Sequence, residues 1–354
     1  MKDNQEQELV GVKEIARRAN VSIGTVDRVL NNRTGVSIKT KERILEIIRE
    51  LDYQPNILAR RLASKKVLNI AVLIPSASEE TEYWNAPLAG ISEAEAEVKP
   101  YGIVLDKYFF DQNDKTTFVK QTEQILKSKV DGILMAPMFM EESKAFTERC
   151  KKQNIPYVFI NSDIPGHKSL SYIGPDLYQS GALSAHLIGY LIKEEDKVLI
   201  VNISKEIDNL HHLLRKEEGF RDYFKKHNKS NPIVKIDIRD TDYPSVRMAL
   251  EEINRTHNFK AIFVTNSRVS SVAHYVEGLS RKDIKLIGYD FLHDNVEYLK
   301  KGTIEFLISQ QPKEQGYKGI ITLYNYLVHS LVLEKCYFMP IDIITKENYI
   351  YYRN

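Results

Sequence analysis

Cysteine is nearly missing from this sequence: Cys150 and Cys336 are the only two among 354 residues. Two thiols so far apart cannot build a disulfide framework and lack the close spacing of a metal or redox pair, so both are expected to be buried and unpaired. Long apolar runs are missing too. No stretch approaches the ~18 apolar residues that a membrane span needs, and Met1 to Leu9 has neither the basic start nor the apolar run of a secretory signal. A cytoplasmic chain without membrane contact is expected. Also lacking are a glycine-rich phosphate loop, a nucleophile elbow and metal-ligand spacing, which argues against an enzyme, a cofactor or a bound metal. His211-His212 does not change this, because adjacent histidines on a helix point in different directions.

What is present suits a globular protein, with 43% hydrophobic and 28% charged residues, and the length exceeds what one core usually organises. The net charge of +2 hides a division along the chain. Met1 to Lys66 carries 14 lysines and arginines against 9 acidic residues, so the remainder is mildly acidic. A basic end on an acidic body points to a polyanion partner for that end alone.

From Gly11 to Leu51 the apolar residues recur at helical spacing in three short blocks. The first carries Val12, Ile15, Ala16 and Ala19. Ser22 is a good N-cap for the second, which turns Val26, Val29 and Leu30 inward; Ser37 or Thr40 caps a third that buries Ile44, Leu45, Ile48 and Leu51. Two helices joined by a tight turn are the sequence form of a helix-turn-helix, whose second helix enters the DNA major groove. Ile23, Gly24, Thr25 and Arg28 are then placed to meet base edges, and Arg28 can fork onto a guanine. Glycine costs about 1 kcal/mol against alanine inside a helix, a cost that makes sense at Gly24 if the backbone must approach DNA closely.

After Lys66 short apolar strands alternate with amphipathic helices, the signature of a doubly wound α/β region. Strands are predicted over Leu68–Ile74, Ile103–Phe109, Gly132–Ala136, Tyr157–Asn161, Val198–Ile203, Ile233–Ile238, Ala261–Thr265 and Leu286–Tyr289. The alternation breaks around Ser169 to Gly174 and resumes near Val198, which suggests two lobes.

Val12-Lys13-Glu14-Ile15-Ala16, Val21-Ser22 and Thr25-Val26-Asp27-Arg28-Val29-Leu30-Asn31 resemble the head of the lactose-repressor family, and Tyr53-Gln54-Pro55-Asn56 with Ile57 to Leu62 resembles its hinge. The resemblance implies that Ser22, Asn31, Ser37, Thr40 and Asn56 orient toward phosphates, and that Ala59 and Leu62 of a hinge helix meet DNA, Leu62 wedging into the minor groove. Asp27 departs from the family's usual serine. An acid beside phosphates is repulsive, so it is expected to pair with an arginine such as Arg28 or to turn away.

From Val67 onward the chain is similar to periplasmic sugar-binding proteins and to the sensors of the same family. This implies a type 1 two-lobed fold with parallel sheets and a ligand clamped at the strand C-termini. The residues expected to hold it are Tyr83 and Trp84 as a stacking face, with Asn161, Asp163, Asn266, Asp290 and Gln310 as polar contacts. The resemblance implies an arginine three residues before a Gly-Phe or similar pair; here Lys216 holds that place before Gly219, with Arg215 beside it. The expected organisation is an all-α helix-turn-helix head over 10–54, a hinge over 55–66 and an α/β sensor over 67–354. The expected function is that of a regulator, read as a repressor, binding a pseudo-palindromic DNA operator as a homodimer under control of a small effector. A carbohydrate is the first choice of effector and a purine or nucleoside the second; a solute-binding protein for transport is the remaining alternative. Ile341 to Asn354 shows no leucine heptad, so nothing supports a coiled-coil tetramer.

Overall fold

The computed structural model describes residues 11–30, 33–53, 67–77, 82–205, 207, 211–279, 281 and 283–353, and divides into two units, Met1–Lys65 and Lys66–Asn354. In the first, α1 (Val12–Arg18), α2 (Ile23–Leu30) and α3 (Ile38–Glu50) enclose a small core of Ile15, Ala16, Ala19, Val26, Val29, Ile44 and Ile47. The two later helices begin on serines. Ser22 Oγ accepts from the Thr25 N–H at 3.1 Å, and Ser37 Oγ from the Thr40 N–H at 3.3 Å, each satisfying one of the donors a helix start leaves unpaired. Ser37, not Thr40, is therefore the cap of α3. On that helix Ile47 takes the core position expected of Leu45, which is exposed, because the stripe of Ile44, Ile47, Ile48 and Leu51 follows the helical repeat and Leu45 falls off it.

The second unit holds two lobes of one plan. The first sheet runs β11 (Cys336–Phe338), β5 (Ser171–Gly174), β4 (Tyr157–Ile160), β3 (Gly132–Met135), β1 (Leu68–Pro75), β2 (Ile103–Phe110), all parallel. The second runs β12 (Asp342–Ile344), β10 (Phe306–Ser309), β9 (Lys285–Tyr289), β8 (Phe259–Val264), β6 (Lys197–Ile203), β7 (Ile233–Ile238), parallel except for β12 against β10. The chain crosses between lobes three times, after β5, β10 and β11. Among the helices, α4 (Asn85–Val98), α5 (Lys115–Lys127) and α6 (Met140–Lys152) cover the first sheet; α7 (Leu177–Leu191), α8 (His211–Lys226), α9 (Tyr243–Thr256), α10 (Val269–Glu277) and α11 (His293–Lys301) cover the second; α12 (Pro312–His329) returns to the first. Central strands buried on both faces explain their near-continuous apolar runs.

Four strands escape the sequence pattern. β5 occupies the point where the alternation was expected to break, and β10, β11 and β12 are three or four residues long, too short to show a period. The thiols also part company: Cys150 is buried and Cys336 lies exposed on the edge strand β11. An edge strand offers only one neighbour, so burial does not follow from its apolar composition.

Each lobe contains one helix crossing that only glycine permits. A Cβ on Gly90 of α4 would lie 1.9 Å from the Lys313 carbonyl of α12, and one on Gly316 would lie 2.1 Å from the Pro87 carbonyl. The second lobe repeats this: a Cβ on Gly181 of α7 would lie 1.9 Å from the Lys216 carbonyl of α8, and one on Gly219 equally close to the Tyr178 carbonyl. Backbone meets backbone there, so no side-chain shift relieves the overlap. Gly219→Ala is expected to cost roughly 1–3 kcal/mol or more, whereas Gly278→Ala, whose Cβ would meet nothing nearer than 3.4 Å, stays within about 0.5 kcal/mol. Urea denaturation followed by the fluorescence of Trp84, the only tryptophan, reads the sensor directly.

Candidate functional site

Two separate surfaces concern function. On the head, Ser22, Ile23, Gly24 and Arg28 are exposed at the start and along one side of α2, Thr25 is half-buried, and Ser37 is exposed with Thr40 partly covered. Ile23 keeps 50% of its surface open, which no packing need explains. A Cβ on Gly24 would meet only Ser22 Oγ at 3.7 Å, so the absence of a side chain leaves an open approach to the helix backbone. Asp27 pairs with Arg33 at 3.2 Å instead of Arg28, which neutralises the acid and leaves Arg28 outside that pair. The fork of a guanidinium suits guanine edges, and this exposed face is where it stands. Asn31, Asn56, Ala59 and Leu62 lie outside the described residues.

In the sensor a cleft opens between the lobes at the strand C-termini. Of the residues expected to line it, Tyr83, Trp84, Asn161, Lys216, Asn266, Asp290 and Gln310 do so. Asn161 and Asp290 occupy equivalent places, directly after β4 and β9, and both adopt a left-handed backbone, with φ of 67° and 72°. Asparagine and aspartate tolerate that conformation better than other side chains, which is one reason they stand there. Tyr83 donates its hydroxyl to Asn161 Oδ1 at 2.8 Å. Gln315 Oε1 accepts from the Asn161 N–H at 2.9 Å while its amide donates to the Gln310 carbonyl at 2.7 Å, so one buried glutamine fixes both crossing segments.

Lys216 and Asp290 form the floor of the second lobe's wall. Lys216 is 3% exposed, donates from Nζ to the Thr265 carbonyl at 3.2 Å and stands 3.5 Å from the Tyr289 ring centroid. Burial pulls its ammonium below the usual lysine range and pushes the Asp290 carboxyl up, and the attraction between the two opposes both shifts. Asp290 Oδ1 and Gln310 Oε1 are buried without a hydrogen-bond partner among the described residues. A buried orphan acceptor costs about 1–3 kcal/mol, so both await a donor.

Some expectations shift. Trp84 touches the cleft, yet at 2% exposure it is mainly core, packed edge-on against Tyr83 at 86°. Asn266 is committed locally, donating to the Ile203 carbonyl at 2.7 Å and accepting from the Arg268 N–H at 3.2 Å. Asp163 and Arg215 are not brought to the cleft. They line a second hollow with Tyr178 and Phe338, where Asp163 faces His211 Nε2 at 3.3 Å and Arg215 pairs with Glu218. Neighbours on a helix diverge by about 100°, which sends Arg215 outward when Lys216 points in. The same divergence parts the histidines: His212 lines the cleft, and among the described residues no group of three or more potential ligands is placed to hold a metal. Gln112, Asn113, Met138, Ser204, Ser267 and Arg268 also line the cleft. All follow strand C-termini, so that rule was the available signal; residue type alone was not.

Known proteins repeat this arrangement. Residues 11–56 match the bacterial regulatory proteins of the lacI family, and residues 70–330 match the periplasmic binding protein domain. Catabolite control protein A from Priestia megaterium is 31% identical over 79% of this chain and 82% of its own length. The chain belongs to the lacI family of bacterial regulatory proteins. That family comprises transcription regulators, not enzymes, with a helix-turn-helix that binds DNA and a sensor that binds a small ligand. Catabolite control protein A from Staphylococcus epidermidis is 29% identical, and there the match spans 59% of the relative's length, under two thirds. Among solved structures, a candidate LacI transcriptional regulator from Bacteroides fragilis superposes with a TM-score of 0.75 at 30% identity, over 81% of this chain and all of that one. A glucose-galactose binding protein from Geobacillus stearothermophilus gives 0.72 at 24% identity over 80% of this chain and 99% of its own, a likeness of fold alone. No helix among the described residues is long and apolar enough to cross a membrane.

His212 supplies a test of the cleft's interior. Burial, with Lys216 beside it, brings its imidazole from 6.5 down to about 3. A folded value below the unfolded one makes stability complete above pH 6.5 and lost as pH falls, with a slope of up to about 1.4 kcal/mol per pH unit. Asp290, shifted upward, pulls the other way. Chemical denaturation of wild type and His212→Gln between pH 7 and pH 4 is therefore expected to show the gap between them closing, or reversing, as the pH drops; a constant gap would mean that His212 is not buried neutral.

Proposed function

We propose that the protein is a repressor of the cytoplasm that binds a pseudo-palindromic operator as a homodimer and changes its operator affinity when a carbohydrate occupies the sensor cleft. The observation that carries the ligand class is the pair of orphan acceptors, Asp290 Oδ1 and Gln310 Oε1. Vicinal hydroxyls donate to such a pair and accept in turn from the lysine and amides around it. A nucleobase fits less well. Bases are usually held face to face with an aromatic ring, but here Tyr83 and Trp84 meet edge-on, Trp84 is almost wholly enclosed, and no aromatic side chain from the second lobe lines the cleft among the described residues. Sugar binding by the Geobacillus protein of the same fold is in keeping with this reading. Transport as a solute-binding protein is disfavoured by the head, which a carrier does not need.

In this reading function is a coupling free energy between cleft and operator, typically about 1–3 kcal/mol and so roughly 5- to 150-fold in DNA affinity. Arg28 reads sequence, while Ser22, Ser37 and Thr40 set position on the phosphates. Fluorescence anisotropy on operator and random duplexes separates the roles. Arg28→Ala should lose roughly 1–3 kcal/mol on operator and far less on random DNA, whereas Ser37→Ala weakens both alike. Equal losses for Arg28→Ala on the two duplexes would remove it from base recognition.

A further inference from the structure

The inward stripe of α8 serves two cores. Phe220 and Phe224 belong to the core of the second lobe, the lobe that α8 covers. Leu213 heads the same side of the helix, seven residues before Phe220, yet it is 0% exposed within the core of the first lobe. Among the described residues it is the only member of that core drawn from a helix of the second lobe.

Its neighbours in the first turn face other ways, as successive helical positions must. His211 Nε2 meets the Asp163 carboxylate of the first lobe at 3.3 Å, and His212 lines the cleft. One turn of helix therefore touches the opposite lobe at a polar and an apolar point, with a cleft-lining residue between them. The two contacts differ in weight. The Asp163 side chain keeps 43% of its surface open to water, and a pair so exposed contributes little. A leucine moved wholly out of water shifts an equilibrium roughly ten- to a hundredfold, so Leu213 dominates.

We propose that the first turn of α8 is a latch that holds the sensor lobes closed without help from an effector, with Leu213 as its bolt. Drawing the cleft apart at His212 withdraws Leu213 from the first lobe and returns its side chain to water. An effector then meets lobes already biased toward closure, and less of its binding free energy is taken up in closing them. The latch acts whatever the chemistry of that effector.

Trp84 reports on it, since this residue lines the cleft, is 2% exposed and is the only tryptophan. Acrylamide quenching of the effector-free full-length protein is expected to be weak in the wild type and about twofold or more stronger in Leu213→Ala, with far-UV circular dichroism unchanged. If Leu213→Ala fails to fold, the smaller truncation Leu213→Val decides, with a smaller increase. A folded Leu213 variant that melts earlier but quenches like the wild type makes Leu213 an ordinary core residue and overturns the inference. A wild type quenched as freely as an exposed indole overturns it too, because its lobes then rest open.

Discussion

The close approach of two backbones, once in each lobe, is the constraint on which the cleft depends. α8 can deliver Lys216 to the cleft only because Gly181 lets α7 lie against the Lys216 carbonyl, and Gly219 lets α8 lie against that of Tyr178. The first lobe uses Gly90 and Gly316 in the same way to seat α4, whose start carries Trp84, beside α12, whose first turn carries Gln315. Interior packing of proteins is dense, so a shift of even one methyl at such a crossing moves whatever the helix holds. The polar geometry of the site is thus set by residues that have no side chain.

That arrangement makes the floor of the cleft tolerable. A buried lysine and aspartate each lose several kcal/mol of hydration, and their attraction offsets this only when further partners complete the geometry. Here the Thr265 carbonyl and the Tyr289 ring complete it for Lys216, and Gln310 supports the Asp290 carboxylate. Tyr289 is held in turn by Ser180, whose hydroxyl lies 2.9 Å from the phenol, on the same helix as Gly181. The orphan oxygens are what this network leaves unsatisfied. Where two lobes meet, an unsatisfied pair favours whatever supplies the missing donors.

Much of this was legible beforehand, and the pattern of success has a physical cause. The head was readable because capping serines and a 3.6-residue stripe are local properties; even so Leu45 and Ile47 exchange roles, since three of the four residues from Ile44 to Ile47 are apolar and the core follows only the stripe of Ile44, Ile47, Ile48 and Leu51. Long central strands announced themselves by composition. The edge strand β11 did not, because three residues are too few to show a period. In the cleft, the position just after a strand located Asn161 and Asp290, while Asp163, two residues further on, had already turned out of reach. The histidines show the limit most plainly: sequence could say that His211 and His212 diverge, and only the fold could say which of them turns inward.

Lys216 stands where the resemblance implies an arginine, and its surroundings suit a compact cation. A guanidinium is broad, planar and permanently charged, and it needs room for five donors. Lys216 Nζ sits between the Tyr289 ring centroid at 3.5 Å and the Thr265 carbonyl at 3.2 Å. A compact ammonium meets both with one nitrogen, while Arg268, the half-buried N-cap residue of α10, also lines that wall. A small buried charge therefore steadies Asp290.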